Sequence, residues 1–175
     1  MSKIVGIDPG LAATGIAVVE GEGLSVCNYS FGCIQTSSRH ELPDRLNRIY
    51  SRLSAFLQEQ QPDCIVVEDV FSLNRYPKSG IELGKVTGII LLAGCRLGMP
   101  IRQIPVRTAK QILTGSGSAE KKQLAESVRQ RLNHPEPIRP YHAADALALA
   151  MAGLFRGYEP AEYKRLNAST GRKTK

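Results

Sequence analysis

The sequence predicts an α/β domain: a mixed five-stranded sheet, made of an antiparallel meander continued by parallel strands, flanked by helices. Three observations carry this. The first 36 residues hold three β-rich runs joined by short connections. A later run, DCIVVEDV, is apolar almost without interruption, as a central strand covered on both faces is. Between and after the strands, apolar residues recur at helical spacing over long segments.

Taken in order, KIVGIDPG and TGIAVVE are two strands around a Gly/Pro turn, with Gly10 and Gly15 serving the tight hairpin and a close approach. LSVCNYSFGCIQT is a third strand, with Gly32 expected at a bulge or close approach. In LPDRLNRIYSRLSAFLQEQQ, Leu42, Leu46, Ile49, Tyr50, Leu53 and Leu57 form one helical stripe, with Arg45, Arg48 and Arg52 off it, and Pro62 ends the helix. DCIVVEDV is the fourth strand. Residues 79–98 carry Glu82, Lys85 and Arg96 as their only charges and predict a largely buried helix. IRQI is a short strand, VRTAKQIL a helix, TGSGSAE a loop, and AEKKQLAESVRQRL a helix N-capped by Ser118. An Ala/Leu-rich helix over 141–155 must pack closely on something. There is no internal repeat or linker, so residues 1–157 are expected to form one domain and 158–175 a basic, flexible tail.

Composition narrows the function. No apolar run approaches the roughly 18–20 residues of a membrane span. The N-terminus enters a strand directly, so neither a leader nor a membrane is expected, and the location is cytoplasmic. Cys27, Cys33, Cys64 and Cys95 are dispersed without a CxxC pair, which fits buried free thiols in a reducing compartment better than zinc. Net charge is +7 and uneven. Residues 1–101 hold nine basic and ten acidic groups, residues 102–131 seven against two, and the tail 156–175 six against two. A basic half beside a neutral half suits a polyanion.

Four residues stand out against this background. Asp8 ends KIVGID, Glu68 ends CIVVE, and His142 and Asp145 open YHAADALALAMA. A carboxylate at the end of an apolar run is costly unless its charge is compensated. His142 and Asp145, at i and i+3, share a helix face. If the first and fourth strands are neighbours, Asp8 and Glu68 lie side by side, and the set fits hard divalent cations and phosphodiester hydrolysis. Taken singly, each has an ordinary role: an Asp in DPG caps turns, a strand Glu faces an edge, HAAD caps a helix. Periodicity alone does not bring them together.

The blocks GIDPGLAATGIAVV, GCIQT, LPDRLNRIY, QPDCIVVEDVF, ELGKVTGII, VRTAKQILTGSGSAEKKQL and HAADALALA, in this order, resemble the RuvC family of Holliday-junction resolvases within the RNase H-like superfamily. The resemblance runs to about residue 170. It implies a homodimer that binds four-way junction DNA and makes paired symmetric nicks in recombination and repair, beside a branch-migration motor of two further proteins. It implies Mg²⁺, two ions per subunit, with Mn²⁺ able to substitute. Asp8, Glu68 and Asp145 match the catalytic acids and metal ligands. His142 stands at the fourth ligand position, where many relatives have Asp and some have His; a neutral imidazole there is expected to make activity fall as pH drops through roughly 6 to 6.5. Lys110 and Lys121 match basic residues near the scissile phosphate. Lys122, Arg107 and Arg75 are secondary candidates for general phosphate contacts, and Phe71 matches an aromatic presented to bases at the junction centre.

Three other readings compete. One is an RNase H-like nuclease acting on another nucleic acid, and a second is a non-catalytic DNA-binding module. The third is an actin-like ATPase or sugar-kinase relative, suggested by GIDPG…TG. That class needs about twice this length and a second Asp-Gly loop. His40 and His134 fall in loops and take no functional role.

Overall fold

The computed structural model describes residues 1–69 and 77–158. Within them the chain runs β1 (Ser2–Asp8), β2 (Ala13–Glu22), β3 (Ser25–Gln35), α1 (Leu42–Gln60), β4 (Cys64–Glu68), α2 (Pro77–Arg96), β5 (Ile101–Ile104), α3 (Val106–Thr114), α4 (Lys121–Arg131) and α5 (Tyr141–Phe155). One sheet takes the order β3-β2-β1-β4-β5. β1 pairs antiparallel with β2 and parallel with β4, so the expected juxtaposition of first and fourth strands is present. The expected tail lies outside the described residues from 159 onward.

Both faces of the sheet are covered, which is why β1 and β4 read as unbroken apolar runs. Side chains alternate between the faces. Ile4, Cys64 and Val66 join the core formed with α3, α4 and α5. Val5, Ile7, Ile65 and Val67 join the core formed with α1 and α2. On α1 the predicted stripe delivers Ile49, Leu53 and Leu57, all fully buried, each contributing roughly 1.5–3 kcal/mol. α1 stops at Gln61, which turns left-handed (φ 47°) ahead of Pro62.

α5 lies very close to the sheet because facing positions are small. A Cβ at Gly6 would overlap the Ala146 carbonyl and come within 2.6 Å of the Ala150 nitrogen. Gly153 brings the helix backbone against Val66 and Ile4. The obstacle at Gly6 is backbone and does not rotate away. Gly6→Ala is therefore expected to cost about 2–3 kcal/mol in urea unfolding and to push α5, with its functional side chains, off the sheet.

Several local expectations are corrected. Gly32 is no bulge: the register shift lies at Glu20/Gly21, and nothing approaches a Cβ at Gly32. What Gly15 admits is α5, since a Cβ there would overlap the His142 carbonyl. Glu120, rather than Ser118, caps α4, in a reciprocal box with Gln123; the Ser118 hydroxyl bonds that of Ser116. α2 is not largely buried. Val86, Ile90 and Ala93 face the core, while Ile81 (62% exposed) and Leu92 (48%) face outward. Helical apolar residues without a charge pattern do not say which side the sheet takes. All four cysteines are free, yet only Cys64 is buried, and Cys27 and Cys95 are exposed.

Candidate active site

Strand parity and register assemble the site. Asp8 falls on the same face as Ile4 and Gly6, and Glu68 on the same face as Cys64 and Val66, so both side chains point toward α5. The parallel ladder pairs Ile4 with Cys64 through Ile7 with Val67, and the next step sets Asp8 beside Glu68. Across the sheet, Cys33 pairs with Gly15, Gly15 with Asp8, and Glu68 with Ile104. This lateral row carries its two carboxylates at the centre and a glycine where α5 begins.

From α5, His142 and Asp145 reach the same place, as their i, i+3 spacing requires. His142 Nδ1 and Asp8 Oδ2 are 2.6 Å apart and share a hydrogen bond. Asp8 (6% exposed) and Asp145 (9%) are buried, whereas the His142 side chain is 45% exposed. Lys121 Nζ lies 3.9 Å from Asp145 Oδ2.

The electrostatics show how crowded these charges are. Burial, with a hydrogen bond shared with Asp8 and the charges of Asp8 and Asp145, pushes the Glu68 carboxyl up to about 8. Burial and the Asp8 charge also raise Asp145, against the opposing pull of Lys121, His142 and Lys110. The hydrogen bond to Asp8 raises His142. Such a set demands positive charge, and three carboxylates with an imidazole are suitable donors for a hard divalent cation. The residues fit one. Among the described residues, no three His, Cys, Asp or Glu side chains already meet as a ligand set. Asp8 is held by a hydrogen bond to His142, with which an arriving cation competes.

The basic candidates divide. Lys121 and Lys110 both act on Asp145. Lys122, one residue on, turns away to line a cavity of about 260 Å³ with Arg139 and Tyr141. Arg107 packs its side chain against Gly117 in the loop before α4. Phe71 and Arg75 lie outside the described residues. Sequence reasoning passed over Cys33, which senses the Asp8 charge; burial first, then that charge, raises its thiol, so it is a poor nucleophile. Its place in the row opposite Gly15 follows only from the β2–β3 register.

Comparison with known proteins places this geometry. The family model for crossover junction endodeoxyribonuclease RuvC matches residues 4–153. A relative of that description from Syntrophomonas wolfei is 39% identical over 152 residues, 87% of this chain and 88% of its own. Another, from Salinispora arenicola, is 38% identical over 156 residues, 89% of each chain. T. thermophilus RuvC, solved in complex with a Holliday junction substrate, superposes with a TM-score of 0.84 at 32% identity, covering 90% of this chain and 95% of that one. The yeast mitochondrial Holliday junction resolvase Ydc2 shares the fold at 12% identity, with a TM-score of 0.59 over 97% of this chain and 85% of that one. The mixed sheet with carboxylates at its centre is thus an RNase H-like fold, and the chain belongs to the RuvC family of crossover junction endodeoxyribonucleases.

Proposed function

We infer that this chain is a divalent-metal-dependent endonuclease that resolves four-way DNA junctions, with Asp8, Glu68, His142 and Asp145 as catalytic residues and metal ligands. The observation that carries this is the central pair of carboxylates, side by side on β1 and β4 beneath His142 and Asp145, in a chain of this family. We assign the ion as Mg²⁺, two per subunit, with Mn²⁺ as a substitute. When bound, it supplies Lewis acidity toward the phosphoryl group and the attacking water. The chain's own part is to gather hard donors on a rigid sheet and helix, and to place cations beside them. Lys121 and Lys110 compensate charge that builds on the phosphate, and their location beside Asp145 supports this. Arg107, Lys122, Arg75 and Phe71 are assigned to the DNA outside the reacting centre, the first three to phosphates and Phe71 to a base.

Residues 1–157 form the nuclease domain in this reading and 158–175 its basic tail. Among the described residues no helix is long and apolar enough to cross a membrane. We assign the chain to the cytoplasm, beside a two-protein branch-migration motor. Paired nicks need two active sites, and we assign the dimer contact to the outer face of α2. Ile81, Gly84, Gly88 and Leu92 recur there at helical spacing, and a Cβ at either glycine would meet open space. Leu92→Lys is expected to weaken self-association by on the order of 30-fold or more, read by light scattering across a concentration series. An unchanged dimer would move the contact elsewhere.

The function is tested by incubating the protein with a synthetic four-way junction and a matching linear duplex, each with Mg²⁺, Mn²⁺ or EDTA. Paired, metal-dependent nicks confined to the junction are expected. Equal cutting of the duplex would make it a nuclease of broader substrate, and binding without cutting would make it a non-catalytic module.

A further inference from the structure

The near-neutral first half of the chain conceals a local basic cluster. Residues 36–52 hold Arg39, Arg45, Arg48 and Arg52 against Glu41 and Asp44. Two of these arginines are fixed in place by backbone and side-chain acceptors. Arg45 donates from Nε to Thr36 Oγ1 at 2.9 Å, and Arg48 donates from Nε to the Gln35 carbonyl at 3.0 Å. Each guanidinium is thus anchored through Nε. Its terminal nitrogens have no partner among the described residues. Arg48 lines two adjoining hollows of about 320 and 190 Å³ and Arg45 the smaller of them, with Thr36 and His40 lining both.

The position of this cleft gives it meaning. Thr36 hydrogen-bonds through its amide to the Ala12 carbonyl at 3.0 Å and through its hydroxyl to the Leu11 carbonyl at 2.5 Å. Leu11 and Ala12 belong to the turn that leaves Asp8. On the other side of that turn, a Cβ at Gly10 would lie 3.9 Å from His142 Cε1. A single turn therefore separates the arginines from the catalytic cluster. They stand at the same end of the sheet, on the face of α1. Lys110 and Lys121 stand on the face of α3 and α4.

We propose that Arg45 and Arg48 form a fork that binds one backbone phosphodiester of the DNA strand flanking the cut, so that cations grip the strand on both faces of the sheet. Two anchored guanidiniums with free terminal N–H groups match the oxygens of a phosphate. Asp44 also lines the cleft and offsets one of the two charges, leaving a balance suited to a singly charged diester rather than a doubly charged phosphate ester. The fork holds DNA that the catalytic cluster cuts and takes no part in the chemistry. This inference rests on the chain acting on a four-way junction.

The test measures binding without cutting. The full chain in EDTA is titrated against a labelled four-way junction and a linear duplex over a KCl series, for wild type, Arg48→Ala and Arg48→Lys, with melting temperatures alongside. Arg48→Ala is expected to bind the junction on the order of tenfold more weakly. The slope of log affinity against log salt should shrink by about 0.9, one phosphate contact. Arg48→Lys keeps the charge, so it should keep the slope and recover part of the affinity. A merely structural role for Arg48 would lower melting temperature and affinity with the slope unchanged. That result overturns the inference while leaving the junction reading intact. Should Arg48→Ala not fold, Arg48→Gln gives the same readout, with the same two outcomes. Wild-type protein that does not prefer the junction to the duplex overturns the underlying function instead, and the fork with it.

Discussion

Asp8→Asn is expected to lower junction cleavage by roughly 10³-fold or more, a loss of about 4 kcal/mol of transition-state stabilisation, while junction binding stays within a few fold. Asp8 lies at the centre of the row, shares hydrogen bonds with both His142 and Glu68, and is 6% exposed. Asn keeps its volume but removes a formal charge and a hard anionic donor. The fold should survive, because removing one of the buried charges relieves Glu68 and Asp145, both of which Asp8 pushes up. Single-turnover cleavage at saturating Mg²⁺, with binding measured in EDTA, separates the two effects. A cleavage rate within tenfold of wild type would remove Asp8 from the ligand set.

The second large effect is a pH dependence that metal reverses. Glu68 titrates near 8 in the folded chain, well above an ordinary carboxyl, and His142 is also raised. A group whose folded value is raised stabilises the fold below its unfolded value, and that contribution is lost as pH rises through the folded value. Without metal, the melting temperature should therefore fall between pH 5 and pH 9, by on the order of 5 °C or more. The window is clear of Glu126, whose Arg129 partner holds it down to about 2, so that its contribution is lost only at much lower pH. A divalent ion replaces the shared protons. Its apparent affinity should rise with pH up to about 8, with proton release visible in calorimetry. At limiting metal the activity loss expected below roughly pH 6.5 from a free imidazole begins at higher pH, because Asp8 raises His142, and saturating metal moves it back down. Glu68→Gln should remove its share of the stability loss, and His142→Asp should keep metal-dependent cleavage with a weaker dependence on acid pH. A flat melting profile without metal would mean that these charges do not crowd one another.

Much of this was legible in the chain, for identifiable reasons. The unbroken apolar runs of β1 and β4 announced strands covered on both faces, and period-two alternation already placed Asp8 and Glu68 on the same sides as Ile4 and Cys64. What alternation lacks is the offset between strands. Only the ladder pairing Ile7 with Val67 brings the two carboxylates level. The Ala-rich run of α5 signalled a close approach, but not that Gly15 and Gly6 would be the places approached. The outward apolar face of α2 was misread as core because burial depends on which neighbour the sheet supplies. Arg45 and Arg48 were placed off the α1 stripe but given no function, for a related reason. Charge summed over a hundred residues cancels, whereas the fold gathers its cations at one turn.

The central claim is that Asp8, Glu68, His142 and Asp145 hold the divalent ion. Paramagnetic broadening by Mn²⁺ in amide NMR spectra of the full chain tests it most directly, since the loss of signal reports distance from the ion. At substoichiometric Mn²⁺, amides around residues 6–10, 66–69 and 141–146 should vanish first, excess Mg²⁺ should restore them, and Asp8→Asn should sharply weaken the effect. Broadening that centres elsewhere, or that persists unchanged in Asp8→Asn, would contradict the site.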